Sequence, residues 1–226
     1  RARFDTSGRL LVGHSSNFSI SGSNPRFQLI GGSDSTAHGY IGIFSANNVG
    51  ANFSLVKSRN GTIGGQGLVL DDDVVGNINF VASDGNDAAH SAARISAVID
   101  GTAAANDLPG RLEFMTTADG SSSPTPKVVI KANGNIGCGT SSPGAFVHLS
   151  TDTPVVRLTD TSTNRFAQIV SEDGNLRFDA DNDGDQSGSN ITFRVDGGER
   201  LRIDSNGFLG INQGSPSTRL DLRMDN

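Results

Sequence analysis

The sequence predicts an all-β fold, and three observations carry that prediction. Glycine supplies 29 of 226 residues, nearly twice the usual share, and breaks most windows long enough for a helix. Apolar residues come in strand-length bursts, several of them alternating with polar ones as a half-buried strand does. Asn-Gly and Asp-Gly pairs stand between the bursts, where hairpin turns need left-handed backbone.

Along the chain, the predicted strands lie at 26–30, 41–44, 53–56, 68–70, 78–81, 112–115, 128–130, 155–158, 167–170, 176–178, 191–195 and 201–203. Phe, Ile and Val dominate them, which suits a pleated surface. The window 86–100 opens Ala-rich and then alternates, with Ile95, Ala97 and Ile99 on one face. It reads as a loop or short turn followed by a strand. Asn133-Gly134, Asp173-Gly174 and Asn206-Gly207 read as type I′ turns, whose two central residues both need φ > 0.

Composition excludes several function classes. A net charge of −6 argues against nucleic-acid binding, which wants a basic face. No run of about 18 apolar residues exists, so membrane insertion is not expected. Four His and one Cys argue against a His/Cys zinc site. Cys138 alone gives no internal disulfide framework. The chain opens at Arg1 with no signal-peptide pattern, so a segment of a longer polypeptide is expected.

An internal repeat organises the chain. RFDTSGRLLVG (3–13), VIKANGNIGCG (129–139) and RIDSNGFLGIN (202–212) align on Gly8, Gly134 and Gly207. Each is a strand, a tight turn, an apolar residue two after the Gly and another four after it. The last two run on through Ser142-Pro143 and Ser215-Pro216 into strands at 146–149 and 220–222. Unequal spacing argues against a regular solenoid and fits a connector hairpin that punctuates modules of different size. The modules expected are 1–16, ending a preceding module, then 17–143 and 144–216, with 217–226 beginning a following one. Ile136 and Leu209 are expected to pack inward.

The phrases GNIGCGTSSPGAFVHL and RLRIDSNGFLGINQGSPSTRLDL resemble the G-N-(V/I)-G-I-G-T-x-S-P punctuation of bacteriophage tail-fibre and tailspike shafts. ISAVIDGTAAANDLPGRLEFMTTADGSSSPTPKVVI resembles a module of marine and cyanobacterial phage fibres, and GSNITFRVDGGERLRIDSNG resembles the usual approach to the punctuation. The resemblance touches nearly the whole chain. It implies an elongated, intertwined homotrimer, so the partners are two further copies of the chain and other fibre or virion proteins. It implies location in the virion, outside the cell, with a host receptor met only indirectly. Asn212 stands where the pattern has Gly, and Cys138 where it has an aliphatic residue. Physical reasoning supports assembly independently, because short strands in a thin monomer leave long edges that invite pairing.

Chemistry-bearing motifs are few. Asp179, Asp181, Asp183 and Asp185 match the first half of a D-x-D-x-D-G calcium loop, but Asn190 stands where an EF-hand needs a bidentate Glu, and strands flank the loop. A weak calcium site competes there with an acidic, solvated turn. Asp71-Asp72-Asp73 reads as a solvated charge run. The Gly-rich stretch at 134–141 lacks the Lys and the following helix of a phosphate loop and reads as a connector turn. Cys138 reads as a buried structural residue. His14, His38, His90 and His148 are scattered, and matches to the glycosylation pattern at Asn17, Asn52, Asn60 and Asn190 are expected by chance. One Tyr and no Trp weigh against a sugar groove, so no enzyme is expected. The function expected is a shaft segment presenting a host-adhesion tip. The alternatives are a receptor-binding domain using the loops 31–39 and 100–110, a capsule-degrading tailspike, and a bacterial adhesin.

Overall fold

The computed structural model of the chain describes residues 2–20, 23–32, 39, 41–42, 44, 46–181, 184 and 187–224. These residues form sixteen strands in four sheets and no helix. The first sheet holds β1 (Ala2–Phe4), β2 (Leu10–Val12) and β3 (Phe27–Leu29). The second runs in chain order through β4 (Val74–Val81), β5 (Ser91–Ile99), β6 (Gly110–Thr116), β7 (Thr125–Ile130), β8 (Ile136–Cys138) and β9 (Val147–Leu149). The third is the meander β10 (Val155–Asp160), β11 (Arg165–Glu172) and β12 (Asn175–Ala180). The fourth holds β13 (Ile191–Val195), β14 (Gly198–Ile203), β15 (Leu209–Ile211) and β16 (Leu220–Leu222). The chain divides into two units, Arg1–His148 and Leu149–Asn226.

Most of the expected strands form, including β5 with Ile95, Ala97 and Ile99 on one face. Two do not. The burst at 53–56 has no strand partner among the described residues. The burst at 68–70 ends in a turn, with Asp73 N–H donating to the Leu70 carbonyl. Its Val69 is buried with Ile99 and Ala103 in a small local core. The expected strand at 41–44, the loop 31–39, His38, Asp183 and Asp185 lie wholly or partly outside the described residues.

The turns divide into two kinds. Asp173 and Gly174 both have positive φ, 48° and 77°, and join β11 to β12 as the expected two-residue turn. Asp196 and Gly197, at 50° and 76°, do the same between β13 and β14. Asn133-Gly134 and Asn206-Gly207 differ from the expectation. Only the Gly of each pair is left-handed, at 84° and 77°. Gly134 N–H donates to the Lys131 carbonyl, and Lys131 N–H to the Asn135 carbonyl. Three residues therefore form the loop, a type I turn closed by one left-handed Gly. Gly8 closes the first connector in the same way, at φ 71°.

Burial singles out the glycines of the connectors. Ile136 and Leu209 are half-buried, and the residue after each, Gly137 or Gly210, is the buried one. A Cβ on Gly137 would stand 2.3 Å from the Thr140 carbonyl oxygen, and one on Gly210 would stand 2.2 Å from that of Gln213. The chain folds back on its own backbone there, and only glycine leaves room. Gly137→Ala is therefore expected to cost about 1–3 kcal/mol through forced backbone displacement. Gly144→Ala, with open space around the position, serves as the control. Thermal unfolding of both variants checks this, and equal melting temperatures would contradict it.

Candidate functional site: three connectors and an open apolar face

The three connectors share one construction. A hairpin (β1 and β2, β7 and β8, β14 and β15) is followed by a third strand beside its second arm. That third strand runs parallel in the β2–β3 and β15–β16 pairs. Each return is anchored at the same place: Leu10, Ile136 and Leu209 donate their N–H to the carbonyls of Arg26, Phe146 and Arg219. A polar residue in the third strand then accepts from the loop just crossed. Gln28 Oε1 accepts from Phe18 N–H, His148 Nδ1 from Gly144 N–H, and Asp221 Oδ2 from Ser217 N–H. Asn212 has φ 52° where the other connectors have Gly13 at 87° and Gly139 at 78°. Asn tolerates the left-handed region, so the same backbone conformation survives without Gly.

Carboxylates brace the hairpins. Asp5 Oδ1 accepts from Ser7 and Arg9 N–H, and Asp204 Oδ1 from Asn206 and Phe208 N–H. These backbone amides hold both carboxyls below their usual range, against a smaller opposing desolvation. Lys131 occupies that place in the second connector, and Asp100, 31 residues earlier, supplies the carboxylate. Asp100 pairs with Lys131 and accepts from Ala132 N–H at 2.9 Å. Arg111 lies 3.5 Å from Asp100, 2.7 Å from Glu113 and 2.8 Å from Asp72. Burial works to raise the Asp100 pKa, but the Ala132 amide, Lys131 and Arg111 together hold it below the ordinary value.

The sheets share an asymmetry of burial. Directly opposed residues lie on one face. Across the second sheet, one such row is Ile78, Ile95, Phe114, Val128 and Cys138. It is wholly apolar, and none of its members is buried. The row on the opposite face runs Asn77, Ser96, Glu113, Val129 and Gly137, of which all but Asn77 are buried. The fourth sheet sets Ile191, Ile203, Leu209 and Leu220 beside Phe193, Leu201, Ile211 and Leu222, again with none buried. In the third sheet, Val156, Ile169 and Phe178 form the open row. Its other face carries Glu172, Arg177, Asp179 and Gln168 in one ion-paired ladder. In the first sheet Phe4, Leu10 and Phe27 are open, while Leu11 and Gln28 behind them are buried.

The residues singled out by sequence fall as follows. Asp179 is engaged by Arg177 and Gln168, and Asp181 follows β12 with φ 57°. Their calcium partners Asp183 and Asp185 lie outside the described residues. Asp71 and Asp72 are exposed and Asp73 half-buried, so the run is solvated as expected, and each carboxylate also has a partner. Asp71 accepts from Gly101 N–H at 2.7 Å, Asp72 pairs with Arg111, and Asp73 takes Arg59 in two bonds of 2.6 and 2.7 Å. Arg59 is the largest cause holding the Asp73 carboxyl far below its usual range. The loop 100–110 buries Ala103 and is tied down through Asp100. Cys138 is half-buried in the open apolar row. Sequence reasoning also passed over Asp84, Asp87 and His90, whose exposed side chains bring one ligand atom each within 4.8 Å of one another. Their shared spacing of three was the signal.

No family model matches the chain, and neither does any curated protein. Among solved structures, the carboxy-terminal domain of the bacteriophage T5 L-shaped tail fibre is similar at a TM-score of 0.38 and 11% identity, over 80% of this chain and 93% of that one. The same domain with its intra-molecular chaperone domain gives 0.37 and 10%, over 79% of this chain and 64% of that one. Scores this low do not establish a common fold.

The Asp100 cluster yields a pH dependence. Its folded pKa lies below the unfolded value of about 3.9. The stabilisation is therefore complete above about pH 4 and is lost as pH falls through the folded pKa. Asp100→Asn is expected to lower the melting temperature at pH 7 and to flatten its fall below pH 4. Melting curves between pH 2 and 7 check this, and parallel curves for the two proteins would contradict it.

Proposed function

We propose that the chain is a structural shaft segment of a phage tail fibre, built as an elongated, intertwined homotrimer that presents a host-adhesion tip. One observation carries this reading: among the described residues, all four sheets leave an apolar face uncovered. Three similarly oriented copies would cover the apolar rows with one another and leave the ion-paired ladder of the third sheet in water. The number three and the phage setting rest on the sequence resemblance.

The mechanism is mechanical. Connectors of one construction join sheets of different size, so the same joint recurs while the module between joints varies. The loop 100–110 is braced internally, which favours a spacer over a contact surface. Nothing in the reading assigns an enzymatic step. Negative-stain electron microscopy of the purified chain tests it, with rods of uniform width expected. Compact particles would contradict the shaft, and release of oligosaccharide from bacterial capsule would favour the tailspike alternative.

A further inference from the structure

Resting on the reading that copies of the chain associate, we propose that residues 51–57 form an exchange arm that adds as a β-strand to a sheet of a second copy. The segment reads Ala-Asn-Phe-Ser-Leu-Val-Lys. Its alternation from Asn52 to Leu55 and its β-branched and aromatic content are those of a strand. In its own chain it is not one. Among the described residues, no backbone N–H or C=O of residues 51–57 meets a hydrogen-bond partner. Phe53 is 72% exposed and Val56 87%.

A short extended run in water forms hydrogen bonds to solvent without cost, but that does not account for large apolar side chains held in solvent on a protein whose sheets already present open apolar rows. The arm is held at one point. Leu55 rests directly on β4, where a Cβ on Gly76 would meet its side chain at 2.6 Å. Gly76 shares a cross-strand row with Ala97, Leu112, Ile130 and Ile136, so Leu55 reaches the rim of the open apolar face while Phe53 and Val56 stay uncovered. Beyond the arm, Ser58 and Gly67 close a small loop: Ser58 Oγ donates to the Gly65 carbonyl and accepts from Gly67 N–H. Arg59 ties that loop to Asp73. The arm therefore leaves a fixed base, as an exchanged segment requires.

The occupant is a second copy because the needed complements are present in this chain: open sheet edges at β4 and β13 and apolar rows without cover. Pairing across copies satisfies the arm's backbone and buries Phe53 beside Leu55 on one face, with Val56 on the other, the β-addition mode of recognition.

Hydrogen–deuterium exchange on the full chain, read by mass spectrometry alongside its mass in solution, tests this. In the assembly, amides 52–57 are expected to exchange roughly 100-fold or more slowly than an unstructured chain, and to lose that protection when the copies are dissociated. Ser54→Pro, which removes an amide, is expected to abolish protection in the arm. Fast exchange of 52–57 within a multi-chain assembly would overturn the arm and leave the shaft reading standing. Protection that survives dissociation would place the pairing inside one chain and overturn the arm. A single-chain mass would overturn both.

Discussion

A single layer of β-sheet has two faces, and among the described residues of this chain the apolar one is left open. That constraint governs the rest of the structure. In the second sheet the row containing Ser96 and Glu113 is buried, while the row containing Ile78 and Phe114 lies open. The ordinary order of burial is inverted. Within one copy the polar face is made compact by its own hydrogen bonds and ion pairs, such as Ser96 to Asn77 and Arg111 to Glu113. The hydrophobic drive, which usually closes a monomer, remains available for association.

Glycine makes this layered arrangement possible at the joints. Gly8, Gly134 and Gly207 each supply the one left-handed residue of a three-residue turn. Gly137 and Gly210 admit the returning backbone at a distance no side chain allows. The second connector shows that the brace can be replaced: Asp100 serves from a distant loop the hairpin that Asp5 and Asp204 serve locally. What is common to the three copies is the geometry of the backbone, and the side chains that secure it vary.

Much of the fold was legible because it is local. Alternation located β5, β11 and β13, and Asp173-Gly174 announced its turn. The misses have physical causes. Asn133-Gly134 fits two turn types, and what separates them is whether the carbonyl of Lys131 accepts from Gly134, which no dipeptide encodes. The burst at 53–56 has the pattern of a strand, but pattern says nothing about whether a partner edge lies in the same chain. The ties of Asp71-Asp72-Asp73 to Gly101, Arg111 and Arg59 were not legible because they are set by tertiary structure. The candidate surface was legible as a list of apolar strands. Which face each apolar residue occupies, and that this face is left open, required the register.

The central claim is that the open apolar faces are covered by copies of the same chain. Sedimentation equilibrium of the purified chain at neutral pH tests it most directly. The account predicts a single species of three times the 23.5 kDa chain mass, unchanged on dilution through the micromolar range. A stable, soluble species of one chain mass would contradict it.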